Sequence, residues 1–343
     1  MTTIRKVLIP HYGDPSVLQV VTTVLPPPPP HHIQIEVFYS GFGGSDISIR
    51  LGLYFMQNPA PLTPGYCLIG RIAHKGPNCT SHLNEGDIVA SLTKHDAQSE
   101  RVNLEEKYLI PLPKQPGLDL CAATALVLDW NTAWGMVMGT AKVGDGQVQR
   151  VFVHGISGAV GYAVFKLCQL AAVREVYGTA SEKNHDVIRA QGGVPFVYSN
   201  KDWVYEMKRI GGVDAVFDPL GFESFDESYS ILSENAGMLV GHGTNAQFLE
   251  GGRNARAGSM SIAKMLARNL DWRSKKRTRF YGITKESKGC EEGMRELFRL
   301  FAQGTIRPAI KEVWELDQIQ EAHRSWGKAR GVGSAVVRVG RGY

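Results

Sequence analysis

The sequence predicts an α/β protein of two domains, a small barrel-like β domain and, inserted in it, a doubly wound parallel sheet. Three observations carry that expectation. The apolar run Val151-Phe152-Val153 stops at closely spaced glycines, Gly155, Gly158 and Gly161, and continues as the helical pattern Tyr162–Ala172. Downstream, short apolar strands recur at helix-length spacing, the alternation expected of βαβ units. The N-terminal third alternates polar and apolar residues with the period of two that marks strands, and strand-like patterning returns at the C-terminal end.

In the first domain, strands are expected at Lys6–Pro10, Val17–Val24 and Ile33–Tyr39. Others follow at Leu68–Ala73, Asp87–Ser91, Arg101–Asn103 and Tyr108–Pro111, with Gly86-Asp87 and Pro113 as turn signals. The proline run Pro26–Pro30 cannot sit in a central strand and is expected to be a stiff connector. Helical periodicity begins near Asp119–Val127 and resumes at Thr132–Met138, which places the crossover into the second domain near residue 125.

The second domain, 126–283, is expected to hold strands at Glu175–Thr179, Val194–Tyr198, Val213–Asp218, Met238–Gly241 and Arg279–Ile283. Helices are expected between them at Lys183–Gln191 and Phe222–Leu232. After Ile283 come an amphipathic helix Cys290–Gln303, a strand Val313–Leu316, a helix through Ile319–Lys328 and a last strand Ser334–Val339. This tail, 284–343, is expected to rejoin residues 1–125, leaving the cleft between the two domains as the expected active site.

Strand, tight turn and helix at Val151–Ala172 form a geometry with a chemical use. Glycines let the backbone approach a pyrophosphate, and the helix N-terminus offers unpaired N–H groups and a positive dipole end to its charge. A dinucleotide is the expected guest.

Composition narrows the remaining classes. A chain of 343 residues, 43% hydrophobic and 21% charged, can build two cores of an ordinary soluble protein. The net charge of +5 lacks the dense basic and aromatic interleaving of a nucleic-acid binder, so no nucleic acid is expected as partner. Cys67, Cys79, Cys121, Cys168 and Cys290 lie far apart with no C-x-x-C pair, which fits a reducing compartment. Met1–Gly13 lacks the charged and apolar regions of a secretory signal, and no apolar run approaches the ~20 residues that span a bilayer. A soluble, cytoplasmic protein without a membrane partner is expected.

Several short motifs, in order, resemble the medium-chain dehydrogenase/reductase superfamily, and within it the zinc-free quinone oxidoreductase (ζ-crystallin-like) and enoyl reductase branch. They are Gly41-Phe42-Gly43-Gly44-Ser45-Asp46, Arg50-Leu51-Gly52-Leu53-Tyr54, Pro64-Gly65-Tyr66-Cys67-Leu68-Ile69-Gly70, Gly86-Asp87, Asn131-Thr132-Ala133, the glycine turn and Asp214–Gly221. The resemblance implies a GroES-like β-barrel catalytic domain and a Rossmann cofactor domain. Zinc-dependent relatives carry cysteine, histidine and glutamate where this chain has Gly43, Tyr66 and Cys67. Glycine supplies no ligand and tyrosine is a poor one for Zn²⁺, so no metal is expected.

Without zinc, conjugate reduction is the chemistry the resemblance favours: hydride goes to the β-carbon of an enone or to a quinone, and the protein supplies orientation and a donor near the developing oxyanion. The pyrophosphate is expected on the backbone of Ile156–Val160, thus on Ser157, Gly158, Ala159 and Val160, with Gly155, Gly158 and Gly161 permitting the approach. An NAD enzyme would place an acidic residue at the end of the second strand of this domain. Thr179, Ser181 and Lys183 stand there instead, which favours NADPH, although Glu182 beside them would suit NADH.

Tyr198 matches a tyrosine of the branch after the third strand, and Lys328 and Arg330 lie where relatives supply a phosphate-binding cation. Thr132 and the backbone of Gly241, Gly243 and Thr244 are expected near the nicotinamide. Tyr54 is the candidate for orienting the carbonyl or relaying a proton. Asp46 and Arg50 are expected to be structural.

Gly43 departs from the polar residue of many relatives and implies a roomier pocket. It also prompts a second hypothesis, a nucleotide-binding protein without redox turnover, either a structural protein or a non-redox cyclase. The basic segment containing Arg253, Arg256, Arg268, Arg273, Lys275, Lys276 and Arg277 is expected to be a solvated face, with a substrate lid as the alternative. A homodimer pairing through Arg279–Ile283 is the partner the resemblance offers besides the small-molecule substrate.

Overall fold

The computed structural model describes residues 1–54, 57–249, 256 and 258–340. Along the chain come β1 (Thr2–Leu8), β2 (Gln19–Leu25), β3 (His32–Phe42), α1 (Gly44–Arg50), β4 (Cys67–Lys75), β5 (Ile88–Leu92), β6 (Arg101–Glu105), β7 (Ile110–Pro111) and α2 (Leu120–Ala125). Next are α3 (Asn131–Trp134), β8 (Arg150–Val153), α4 (Ala159–Leu170), β9 (Glu175–Ala180), α5 (His185–Arg189), β10 (Val194–Val197), α6 (Asp202–Arg209), β11 (Ala215–Asp218), α7 (Glu223–Ser230), β12 (Met238–Gly241), α8 (Ala246–Leu249), α9 (Gly258–Ala267) and β13 (Arg277–Phe280). The tail forms α10 (Cys290–Ala302), β14 (Ile310–Glu315), α11 (Ile319–Ser325) and β15 (Ser334–Arg338).

The chain divides into two compact units. The first comprises residues up to Asn131, Thr284–Ala329 and the stretch from Ser334; the second comprises Thr132–Ile283 and Arg330–Gly333. The first unit runs to Asn131, within helical turns that continue from α2 through Gly135–Thr140. Arg330–Gly333 leaves the tail for the second unit, for a reason given below.

In the first unit, β1 and β2 pair antiparallel, and a seven-stranded sheet runs β14-β15-β3-β4-β5-β7 with β6 also on β3. This GroES-like sheet seats the tail, since β15 pairs antiparallel with β3 and parallel with β14. The apolar residues of β3 and β4, among them Ile33, Ile35, Val37, Leu68 and Ile69, are buried.

The second unit is a parallel six-stranded sheet of order β10-β9-β8-β11-β12-β13. Numbered within the unit this is 3-2-1-4-5-6, the Rossmann order, whose ligand crevice lies outside the carboxyl ends of the strands where the order reverses, between β8 and β11. Val151, Phe152 and Val153 of β8 are fully buried, as a central parallel strand covered on both faces requires. Phe152 and Val216 pack with Trp203, Met207, Phe225 and Leu239 in one core cluster.

Two differences from the sequence pattern have physical causes. Helix α6 buries only Trp203 and Met207, four residues apart, and half of its residues are charged, which hides the amphipathic signal. Strand β13 lies at Arg277–Phe280 rather than Arg279–Ile283 because, at the sheet edge, it buries Thr278 between exposed arginines while the more apolar Ile283 lies beyond it.

Candidate cofactor and catalytic sites

The glycine turn brings the backbone close to the start of a helix, an arrangement whose open N–H groups would suit a phosphate. Gly155 has φ +66°, a conformation side chains rarely adopt. A Cβ on Gly161 would be driven into the Gly155 carbonyl oxygen and would lie 2.8 Å from its carbonyl carbon, so only glycine lets α4 start this close to β8. Gly158 is the N-cap of α4 and no side chain caps the helix, which leaves the first-turn N–H groups of Ala159, Val160 and Gly161 directed outward from the helix end.

A buried relay holds this turn. The Gly155 N–H donates to Thr179 Oγ1 (3.1 Å), and Thr179 Oγ1 lies 3.4 Å from His154 Nδ1. His154 Nε2 is 3.0 Å from Ser228 Oγ, whose hydrogen goes to Asp218 Oδ2 at 2.7 Å. Burial pushes His154 below its usual range, so it is neutral. With the Ser228 hydrogen committed to Asp218, the imidazole must donate from Nε2 and accept from Thr179 at Nδ1. Asp218 also accepts from Leu220 N (2.7 Å), Gly221 N (3.3 Å) and Ser224 Oγ (2.7 Å), so one network ties the turns after β8 and β11 together. Thr179 is 3% exposed, and its hydroxyl braces the turn instead of facing a ribose phosphate.

Beyond β9, Ser181 is half-buried and Lys183 is exposed. Tyr198, after β10, is 58% exposed. Asn184, which the sequence did not single out, is 5% exposed; its Nδ2 donates to Ser157 Oγ (3.2 Å) and its Oδ1 accepts from Gly331 N (2.9 Å). Lys328 is exposed and belongs to the first unit, whereas Arg330 is exposed within the second. After β12, a Cβ on Gly243 would lie 2.7 Å from the Pro219 carbonyl oxygen, so this loop and the β11 loop pass in backbone contact. Thr132 is 9% exposed on α3, between π-helical turns at Leu126–Trp130 and Gly135–Thr140. Arg256 pairs with Glu223, Arg268 and Lys264 with Asp226, and Lys276 with Glu234. Those cations of the basic segment are neutralised on the unit's own surface; Arg253 lies outside the described residues.

In the first unit, Tyr54 and Tyr66 form a phenol pair, with ring centroids 5.5 Å apart and their hydroxyls hydrogen-bonded to each other. Burial, then the neighbouring phenol, pushes Tyr54 far above the usual range, so it holds its proton across ordinary pH. Its backbone N–H is fixed by Gln57 Oε1 (2.9 Å), whose amide in turn donates to the Ile49 carbonyl (3.1 Å). Asp46, 1% exposed, accepts from Gly43 N (3.0 Å) and Gln98 Nε2 (3.2 Å), and Arg50 donates to His323 Nδ1 (3.1 Å) and the Gly13 carbonyl. Both are structural in these contacts.

At the positions where zinc-dependent relatives hold their metal, the donor set does not suit Zn²⁺. Gly43 has no side chain, Tyr66 is engaged with Tyr54, and burial raises the Cys67 thiol far above the range in which it becomes a thiolate ligand. A Cβ on Gly43 would meet nothing within 4 Å, and its φ of −166° suits any residue, so the absent side chain reflects space rather than backbone need.

Burial raises the Asp46 carboxyl from 3.8 to about 7. Between those values the folded state binds more protons than the unfolded one, so this group's contribution to stability is present at low pH and is lost as pH rises through 7. Replacing Asp46 with asparagine removes that loss. The thermal midpoint of the variant relative to wild type is expected to be higher at pH 8 than at pH 5; a constant difference contradicts the raised carboxyl.

The parallel sheet in Rossmann order, with a glycine turn leading into its first helix, makes the second unit a dinucleotide-binding type of fold. Residues 29–117 match the family model described as Alcohol dehydrogenase GroES-like domain, and residues 193–337 match that described as Zinc-binding dehydrogenase. The chain is 28% identical over 318 residues to the Synaptic vesicle membrane protein VAT-1 homolog of Danio rerio, covering 89% of this chain and 63% of that protein, so it spans less than two thirds of that relative. It is 26% identical over 316 residues to a Probable quinone oxidoreductase of Schizosaccharomyces pombe, covering 91% and 90% of the two chains. The crystal structure of CurK enoyl reductase superposes with a TM-score of 0.81 at 24% identity, over 98% of this chain and 99% of that one. Taken together, the two family models and these relatives support the medium-chain dehydrogenase/reductase superfamily, with likeness to its quinone oxidoreductase members.

Proposed function

We propose that the chain is an NADPH-dependent, zinc-independent reductase of α,β-unsaturated carbonyls or quinones. The observation that carries this is the Tyr54–Tyr66 phenol pair, a neutral hydrogen-bond donor beside a position where zinc relatives bind their Lewis acid. The reduced nicotinamide supplies the hydride when bound. The first turn of α4 holds the pyrophosphate, Ser181 and Lys183 meet the 2′-phosphate, and Tyr198 covers the adenine. Tyr54 donates its hydroxyl hydrogen to the substrate carbonyl oxygen as negative charge develops on it, while its own oxygen accepts from the Tyr66 hydroxyl. Space beside Gly43 admits a bulky substrate.

Titration with NADPH and NADH by nicotinamide fluorescence, followed by a panel of enones and quinones with the absorbance of the reduced cofactor as readout, tests the proposal. Tighter binding of NADPH with enone- or quinone-dependent oxidation is the expected result. Lys183→Ala is expected to lower the NADPH over NADH preference about tenfold, the effect of one charge-assisted phosphate contact. Tighter binding of NADH to the wild type would overturn the NADPH assignment, and tight NADPH binding with no turnover would favour the non-redox alternative that Gly43 motivates.

A homodimer along the outer edge of β13 also belongs to this proposal, for which the mass in solution is the check; the free edge and the 37% exposed Phe280 support it. So does a cytoplasmic location, to be checked by cell fractionation. Among the described residues no helix is long and apolar enough to cross a membrane.

A further inference from the structure

We propose that Arg330–Gly333 is a strap of the dinucleotide site and that Asn184 is the positioning residue that locks it to the phosphate turn. The inference rests on the proposed binding of a nicotinamide dinucleotide.

The strap groups with the second unit although the chain on either side of it groups with the first. Hydrogen bonds explain why. Gly331 N donates to Asn184 Oδ1 at 2.9 Å, Asn184 Nδ2 donates to Ser157 Oγ at 3.2 Å, and Gly333 N donates to the Ser157 carbonyl at 3.1 Å. Because one end of the Asn184 amide faces an N–H donor, the other end must be the NH₂ group, and its orientation is fixed. Gly331 and Gly333 have φ of +106° and +97°, so the backbone path that aims both N–H groups at the turn is one that glycine permits.

Ser157 is therefore held at its hydroxyl and its carbonyl by partners distant in sequence. It directly precedes Gly158, the N-cap of α4, whose first-turn N–H groups make the phosphate cradle. Asn184 closes the helical turn Glu182–Asn184 that also carries Lys183. Locking the strap pre-organises the part of the turn that meets the pyrophosphate, which both dinucleotides share, and lowers the ordering cost of binding. It leaves contacts to the 2′-phosphate untouched.

Asn184→Ala and Gly331→Ala, singly and combined, provide the test, with NADPH and NADH titrated by fluorescence and 2′-AMP, which has no pyrophosphate, by competition. Each single variant is expected to weaken NADPH and NADH equally, by about tenfold, with 2′-AMP affinity unchanged. The double variant is expected to be no weaker than the worse single one, because both substitutions release the same strap. Unchanged NADPH affinity in Asn184→Ala, an equal loss of 2′-AMP affinity, or losses that multiply in the double variant would overturn the proposal. Asn184→Asp keeps the acceptor for Gly331 and loses the donor to Ser157, and supplies the same comparison if the alanine variant does not fold. A wild type that binds neither dinucleotide overturns the proposed function and the strap together, whereas a wild type that binds both and a variant that matches it overturn the strap alone.

Discussion

Gly161→Ala is expected to lower NADPH affinity by at least about 100-fold, or about 2.7 kcal/mol of binding free energy. The added Cβ would be driven into the Gly155 carbonyl oxygen and would lie 3.2 Å from Ile156 Cα. These are backbone atoms of the cradle itself and cannot swing aside as the end of a side chain would. Either α4 moves away from β8 or the turn opens, and in both cases the N–H groups of Ala159 and Val160 lose their common aim. Fluorescence titration measures the loss. Gly139→Ala is the control, because a Cβ there meets nothing within 4 Å, and it is expected to bind as the wild type does. Wild-type affinity in Gly161→Ala would place the pyrophosphate elsewhere.

Tyr54→Phe is expected to lower kcat/KM with an enone or quinone by about 10²- to 10³-fold, the usual worth of a positioned proton donor, with NADPH affinity unchanged. The substitution keeps the ring and its edge contact with Tyr66 and removes only the hydroxyl, so folding is preserved. Since burial holds the Tyr54 proton far above the usual phenol range, wild-type turnover is expected to show no loss near pH 10 from ionisation of this group. Steady-state kinetics across pH checks both statements. Full activity in the phenylalanine variant would remove Tyr54 from the chemistry.

Much of the architecture was legible along the chain because it depends on local pattern. The strand–glycine–helix run, the position of β12 at Met238–Gly241 and the amphipathic α10 each follow from periodicities that neighbouring residues carry. Two short helices escaped the same criterion: α1 because it buries polar Asp46, Ser48 and Arg50 beside its isoleucines, and α6 because it buries only Trp203 and Met207. Lys183 drew notice as a cation at the end of a strand, while Asn184 beside it did not, because nothing local distinguishes a solvated asparagine from one closed over by a distant glycine. The phase of the turn after β9, which places Lys183 outside and Asn184 inside, was the only available signal.

The sequence by itself determined the order of elements, the glycine turn into a helix, and the lack of a side-chain donor at Gly43 and of a good zinc donor at Tyr66, since these follow from residue chemistry and from spacings within a few turns of chain. Only the tertiary structure decided that the Thr179 hydroxyl braces the cradle, that Tyr54 is paired with Tyr66, and that Gly331 and Gly333 close on Asn184 and Ser157. Each of these joins groups separated by whole elements of the chain. Their partners are chosen by how the sheets stack and which faces are buried, and no local periodicity records that choice.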